Sequence, residues 1–207
     1  MTSPANAVID LYQRHAATYD GLRSETLYEG AWLARFRSQF APGATILDIG
    51  CGTGQPIASH FLAQGHAVTG VDSASAMIAL CRARFPKGDW QVADMRKLAL
   101  GRRFGGLIAW DSFFHLTPED QRGMFPIFAA HAAPGAALLF TSGPAHGEAI
   151  GSFEGEALYH GSLAPEEYRA LLAENGFAVV DHIVEDPNCG GHTIWLAQHG
   201  RSAQGAP

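Results

Sequence analysis

The residues of this chain best suited to chemistry lie in Leu47-Asp48-Ile49-Gly50-Cys51-Gly52-Thr53-Gly54-Gln55. Residues 44–49 read as a short buried strand and residues 56–64 as a helix, so the glycines occupy a strand-to-helix turn. Glycine there permits positive φ and lets a ligand approach the backbone closely. The helix start adds free N–H groups. The spacing is G-x-G-x-G, and the third glycine of a dinucleotide fingerprint would fall on Gln55. Asp48, just ahead of the first glycine, would repel a pyrophosphate and suits an ammonium group or hydroxyls. The turn has no lysine, which sets aside a phosphate-cradling P-loop.

Two further acids extend the pattern. Asp72 closes the next strand in Val71-Asp72-Ser73, where a carboxylate can accept both hydroxyls of a ribose. Asp94 follows the strand after that, in Val92-Ala93-Asp94-Met95. Three acids at three successive strand ends, with glycines between them, describe a nucleoside-like ligand that carries no phosphate.

The elements that must position these residues alternate along the chain. Helical spacing covers 5–18 (Val8, Leu11, Tyr12, His15) and then Leu27, Trp32, Leu33, Phe36 and Phe40, ending at Ala41-Pro42-Gly43. Strands are predicted at 44–49, 66–71, 89–93, 106–110 and 136–141, and helices at 56–64, 74–84 and 117–132. Thr117 is the expected N-cap of the last helix, with Pro118 at its first position. A helix at 165–174 closes on Asn175-Gly176. Strands at 177–184 and 192–198 have no helix between them and should pair antiparallel. The fold class is therefore α/β: a doubly wound, mostly parallel sheet with one reversed strand and helices on both faces. No repeat or interdomain linker interrupts it. One domain is expected over 1–199, with a loose tail at 200–207.

The pattern resembles the class I S-adenosylmethionine-dependent methyltransferases, in their small-molecule branch. Leu47 to Gly54 is nearly that family's first motif. Val71-Asp72 is similar to its second, and Ala93-Asp94-Met95 to its adenine-contacting turn. Leu107-Ile108-Ala109-Trp110-Asp111 corresponds to its fourth strand and active-site end, and Asn175-Gly176-Phe177 to its turn into the sixth strand. The likeness spans roughly residues 8–198. It implies a Rossmann-like seven-stranded sheet with an antiparallel last strand. The implied cofactor is S-adenosyl-L-methionine, with S-adenosyl-L-homocysteine as product. Asp48, Gly50, Gly52 and Gly54 would sit near its methionine part. Asp72, with Ser73 beside it, would bind the ribose. Asp94 and Met95 would flank the adenine, and Trp110 would line the cleft. Tyr12 and Tyr19, within a helical cover over 1–40, would close the site.

Methyl transfer from a sulfonium depends mainly on in-line positioning, and it needs a base only if the acceptor must lose a proton. Ligands of such sheets bind at the carboxyl ends of the strands. Candidate catalytic residues are therefore His115, His146 and His160, and candidate substrate contacts are Asp111, Phe114, Tyr159 and His192. Residues 142–163 form a long Gly-rich connection, expected to cover the substrate. Each histidine also has a plain reading, His115 as a brace for the next helix and the others as surface or packing groups. No H-x-x-x-H or H-E-x-x-H spacing appears, so no metal is expected. After the fourth strand stands Trp110-Asp111-Ser112-Phe113, without the Pro-Pro motif of nucleobase amino-methylation.

Composition narrows the partners. The 207 residues are 47% apolar and 16% charged, which supports a folded core. The formal charge of −6 makes nucleic acid a poor partner. Three cysteines without a C-x-x-C pair speak for a reducing cytoplasm, and no apolar stretch is long enough for a signal peptide or a membrane span. The expected partner is a small-molecule methyl acceptor, and the expected state is monomer or homodimer. Two other readings are an NAD-type Rossmann oxidoreductase and a non-catalytic nucleoside-binding module.

Overall fold

The computed structural model describes residues 4–23 and 27–200. The expected tail from 201 onward lies outside the described residues. In chain order the elements are α1 (Pro4–Leu22), α2 (Gly30–Arg37), β1 (Ile46–Ile49), α3 (Ile57–Ala63), β2 (Val68–Asp72), α4 (Ser75–Arg84) and β3 (Asp89–Val92). There follow β4 (Phe104–Ala109), α5 (Pro118–His131), β5 (Ala132–Ser142), β6 (Gly147–Phe153), β7 (Glu156–Ser162), α6 (Pro165–Glu174), β8 (Phe177–Asp186) and β9 (His192–His199). Short 3-10 turns occupy Met95–Lys97 and Phe113–His115.

Seven strands form one sheet in the order β3-β2-β1-β4-β5-β9-β8. The pairs from β3 through β5 are parallel, and β9 runs antiparallel to both β5 and β8. The expected reversed strand is thus β9, inserted between its neighbours. Every residue of β1 is buried, as a central parallel strand covered on both faces requires. On one face α5 and α6 deliver Phe125, Phe128, Tyr168 and Leu172 against Leu107, Leu138, Phe140 and Trp195. On the other, α2, α3 and α4 deliver Trp32, Phe36, Phe61, Ile78 and Cys81 against Ile46, Ile108 and Leu139. Helix α1 belongs to neither layer. Its Ala16 packs with Ala74 and Met77 at the end of the sheet where the strand-to-helix turns lie.

The N-cap of α5 is Thr117, whose side chain accepts from the Asp120 N–H at 3.2 Å, with Pro118 at N1. Two segments depart from expectation. β5 begins directly after α5, four residues early. Residues 142–163 are no irregular loop: after the end of β5 they form a two-stranded antiparallel ribbon, β6 with β7. Its turn, Glu154-Gly155, has positive φ at both residues (51° and 77°), which suits a tight hairpin. β6 is exposed from Gly147 to Ser152. With no face buried, it shows no alternation to read.

Candidate active site

A cleft opens at the carboxyl ends of β1, β2, β3 and β4. Parallel strands bring these ends together, so residues far apart in the chain share one rim. The turn after β1 contributes Gly50 and Gly52, with φ of 74° and 54°. A Cβ built on Gly50 would stand 2.3 Å from the Ser112 Cβ, and one on Gly52 would reach the Tyr19 ring at 3.4 Å. The turn is therefore pressed between two side chains of the site, and glycine leaves the room. Asp72 ends β2 and accepts the Gly52 N–H at 3.0 Å and the Ala74 N–H at 2.8 Å. Ser73 lines the cleft beside it. Beyond β3, Asp94 accepts the Arg96 N–H at 3.0 Å and caps the Met95–Lys97 turn, while Met95 and the α1 residues Val8 and Ile9 supply apolar wall.

Two buried carboxylates sit together at this end. Burial, and then the charge of Asp72, push Asp48 up to about 7. Burial raises Asp72 to about 6, while the Ala74, Gly52 and Ser73 amides pull it down. Asp48 has no hydrogen-bond partner among the described residues. A buried carboxylate without a partner is costly, and a cationic or hydroxyl-bearing ligand relieves that cost. Asp94 differs. Burial pushes it up, but the Arg96 side chain and amide more than offset this and hold it low.

At the other end the cleft is walled by Tyr12 and Tyr19 from α1 and by Asp111, Ser112 and His115 from the segment after β4. Asp111 sits at φ 49°, an unusual conformation for a residue with a side chain. Its N–H is held by Thr141 Oγ1 at 2.9 Å, and its Oδ1 accepts from His192 Nε2 at 2.8 Å. His115 is buried. Its Nδ1 donates to the Tyr159 carbonyl at 2.9 Å, which leaves Nε2 to accept from the Tyr12 hydroxyl at 3.3 Å. Desolvation lowers His115 to about 4, so it is neutral near pH 7.

The ribbon closes over α1 at this end. Phe153, just before its turn, sits 5.8 Å from Tyr12, 6.0 Å from His15 and 6.4 Å from Tyr19 between ring centroids. Glu156 pairs with Arg14 and accepts from His15 Nε2 at 2.8 Å. His15 is also where α1 leaves helical geometry (φ −108°, ψ 20°).

The structure gathers Tyr19, Gly50, Gly52, Asp72, Ser73, Asp94, Met95, Asp111 and His115 around one cleft. Asp48 lies behind the glycine turn, on the sheet face opposite Leu47 and Ile49. Gly54 is turned away: a Cβ there would meet Phe85 at 3.2 Å and Cys81 at 3.4 Å, so it serves helix packing. Trp110 does not line the cleft either. Strand alternation puts it on the face of Ile108, in the core, with its ring 5.4 Å from His192. His146 is exposed in the turn between β5 and β6 and joins no other candidate. His160 and Phe114 line a separate groove with Ser142 and Glu148, the His160 ring lying 5.0 Å from that of His115. Tyr159 is buried, and it is its carbonyl that meets the site. Among the described residues no group of three His, Cys, Asp or Glu side chains could hold a metal.

Sequence reasoning overlooked Ser112 and Arg96. Ser112 Oγ donates to the Ile49 carbonyl at 2.7 Å and packs on Gly50. Nothing in the local sequence links it to β1. Arg96 was legible from the Asp94-x-Arg96 spacing of a capped turn.

Residues 46–135 match the family model of a methyltransferase domain. An O-methyltransferase of Pyrenophora dematioidea is 28% identical over 153 residues, covering 68% of this chain and 57% of its own length. The dTDP-3-amino-3,6-dideoxy-alpha-D-glucopyranose N,N-dimethyltransferase of Streptomyces fradiae is 33% identical over 109 residues, covering 51% and 42%. The chain spans about half the length of the curated relatives it matches. Among solved structures, an S-adenosylmethionine-bound amino pentose methyltransferase from Micromonospora echinaspora aligns at TM-score 0.69 and 22% identity, covering 90% of this chain and 96% of that one. The 1,6-didemethyltoxoflavin-N1-methyltransferase of Burkholderia thailandensis, solved with S-adenosylhomocysteine, aligns at 0.71 and 20%, covering 97% and 92%. Residues 46–135 thus resemble a methyltransferase domain, and the chain shares the fold of the solved methyltransferases it aligns with.

Proposed function

We propose that this chain transfers the methyl group of S-adenosylmethionine to a small-molecule acceptor. The observation that carries the reading is the cofactor end of the cleft. There a glycine turn whose Gly52 amide is bound to Asp72 and the Asp94–Met95 turn stand around one space, with the buried, unpartnered Asp48 behind the glycines. These residues suit a ligand with an ammonium group, ribose hydroxyls and an adenine. When bound, the sulfonium supplies an already activated methyl carbon, so the protein's part is binding and orientation. Asp72 takes the ribose. Asp94 and Met95, with Val8 and Ile9, take the base. Tyr12, Tyr19, Asp111 and His115 surround the acceptor.

The printed activities of the relatives, on oxygen in one and on an amino sugar nitrogen in the other, support a small diffusible acceptor. Among the described residues no helix is long and apolar enough to cross a membrane, in keeping with a cytoplasmic enzyme. We read residues 1–199 as one domain and the assembly as monomer or homodimer.

Isothermal titration tests the reading. S-adenosylmethionine and S-adenosylhomocysteine are expected to bind the wild type, and Asp72→Ala to weaken both by roughly a hundredfold or more, as loss of a charged, buried hydrogen-bonding group does. A wild type that binds neither, or that saturates with NAD instead, overturns the reading.

A further inference from the structure

The Asp111–His192 pair joins the cleft to β9, the last strand of the chain. His192 comes from the start of β9 and Asp111 from the end of β4, two strands apart in the sheet. His192 Nδ1 faces the Cys189 carbonyl at 2.7 Å, and Nε2 faces Asp111 Oδ1 at 2.8 Å. A carbonyl cannot donate, so Nδ1 carries a proton. A carboxylate cannot donate either, so Nε2 carries one as well. Two acceptors on one ring define an imidazolium. The rings of Tyr28 and Trp110 flank it at 5.6 and 5.4 Å, within the range of a cation–π contact. The hydrogen bond to Asp111 accordingly raises His192 above its ordinary range.

This arrangement has a direction. His192 occupies one oxygen of Asp111. The other has a long contact, 3.5 Å, with the Tyr28 hydroxyl. Asp111 itself lines the cleft beside Tyr12 and Tyr19. Its backbone is held in a strained conformation by Thr141, so the carboxylate cannot swing away cheaply. Of the described residues that line the cleft, the one guanidinium is Arg96, and it is bound to Asp94, Asp120 and Asn6. The cleft therefore presents acids to a ligand and no uncommitted cation.

We infer that Asp111, braced by His192, reads positive charge at the transfer end of the cleft, and that the acceptor is a small amine. The inference rests on the methyltransferase reading above and adds the chemical class of the acceptor. An amine needs no base in the transfer itself. Its nitrogen lone pair forms the N–C bond as the C–S bond breaks, and the electron pair goes to sulfur. The positive charge passes from sulfur to nitrogen. The proton that made the amine an ammonium leaves to solvent before attack. A fixed carboxylate faces a positive charge before and after such a step. An alcohol would instead have to lose a proton during the transfer, an additional demand that an amine does not make. A carboxylate or phosphate acceptor would meet the Asp111 oxygen that His192 leaves open, with no uncommitted cation there to receive it. Asp111 is thus a specificity-determining residue, and His192 positions it.

The test compares three ligands by titration calorimetry: S-adenosylmethionine (a sulfonium), sinefungin (an amine-bearing carbon in place of the methylated sulfur) and S-adenosylhomocysteine (neutral). Asp111→Asn keeps the shape and tolerates positive φ. It is expected to weaken the two cationic ligands about tenfold or more, and the neutral one by less than about threefold. His192→Gln is expected to act in the same direction, less strongly. Nitrogen-detected NMR of His192 gives an independent reading: both ring nitrogens protonated at pH 7 in the wild type, and one in Asp111→Asn. Equal weakening of all three ligands by Asp111→Asn, or a singly protonated His192 in the wild type, overturns the inference while leaving the methyltransferase reading in place. A wild type that binds none of the three removes both.

Discussion

The two ends of the cleft are built in different ways. The cofactor end draws Gly50, Gly52, Asp72, Ser73, Asp94 and Met95 from one continuous stretch, at the tips of three adjacent parallel strands. The transfer end draws Tyr12 and Tyr19 from α1, Tyr28 from the segment before α2, and Asp111 and His115 from the turn after β4. The Tyr159 carbonyl comes from the ribbon and His192 from β9. The first end is assembled mainly by strand order, with Val8 and Ile9 of α1 adding apolar wall. The second exists only when the helix, the ribbon and the last strand have all docked. In a site built this way, residues of the second set can be altered without moving the strand tips of the first.

The sharpest way to break the cofactor end is Gly50→Ala. The added methyl would fall 2.3 Å from the Ser112 Cβ at a backbone of positive φ. Affinity for S-adenosylhomocysteine is expected to fall beyond calorimetric detection, at least a hundredfold. Gly52→Ala meets the Tyr19 ring only at 3.4 Å and should cost mainly the backbone penalty of about 1 kcal/mol. Equal effects of the two would mean that the turn is not pressed against Ser112.

The two ends should also respond to pH with opposite sign. At the transfer end, burial depresses His115 from its ordinary 6.5 to about 4. The unfolded chain binds that proton first as pH falls. Stability is therefore whole above pH 6.5 and lost progressively toward pH 4, by up to about 3 kcal/mol. At the cofactor end, Asp48 is raised from 3.8 to about 7. Its contribution is favourable below pH 4 and is lost as pH rises through 7. Thermal unfolding of the ligand-free protein at pH 5 and pH 8 separates the two. His115→Gln should remove the acid sensitivity. Asp48→Asn should raise stability at pH 8, on the order of 1–3 kcal/mol, while weakening cofactor binding. An Asp48→Asn protein no more stable than wild type at pH 8 would show that the carboxylate is not strained there.

The smallest effect is expected at the clasp between the ribbon and α1. Glu156 is exposed, so removing its charge should leave the melting temperature unchanged. Its contacts with Arg14 and His15 hold the ribbon tip over the site. Glu156→Gln should speed S-adenosylhomocysteine dissociation a few-fold in stopped-flow measurements. An unchanged rate would show that the ribbon does not gate the cleft.

Much of the scaffold could be read before any coordinates. The Thr117-Pro118 start of α5 carries its own cap chemistry, and the Ile46–Ile49 run is apolar enough on both sides to be a central strand apart from Asp48, whose exception marked the site. The ribbon escaped because β6 buries nothing until Phe153, so its sequence shows no alternation. Gly54 and Trp110 carry the right residue types in the right motifs, yet they face Phe85 and the α2–α3 layer. Which side of a strand or turn a residue takes depends on phase, and a single misjudged position reverses it.

Local chemistry, then, dictated the glycine turn, the three strand-end acids and the order of strands and helices, because caps, turns and hydrophobic period act over a few neighbouring residues. The meeting of Asp111 with His192, of His115 with Tyr12 and of Phe153 with α1 was settled by folding alone. Those pairs join residues brought together by sheet order and docking, and no spacing along the chain encodes which of ten histidines will face a given carboxylate.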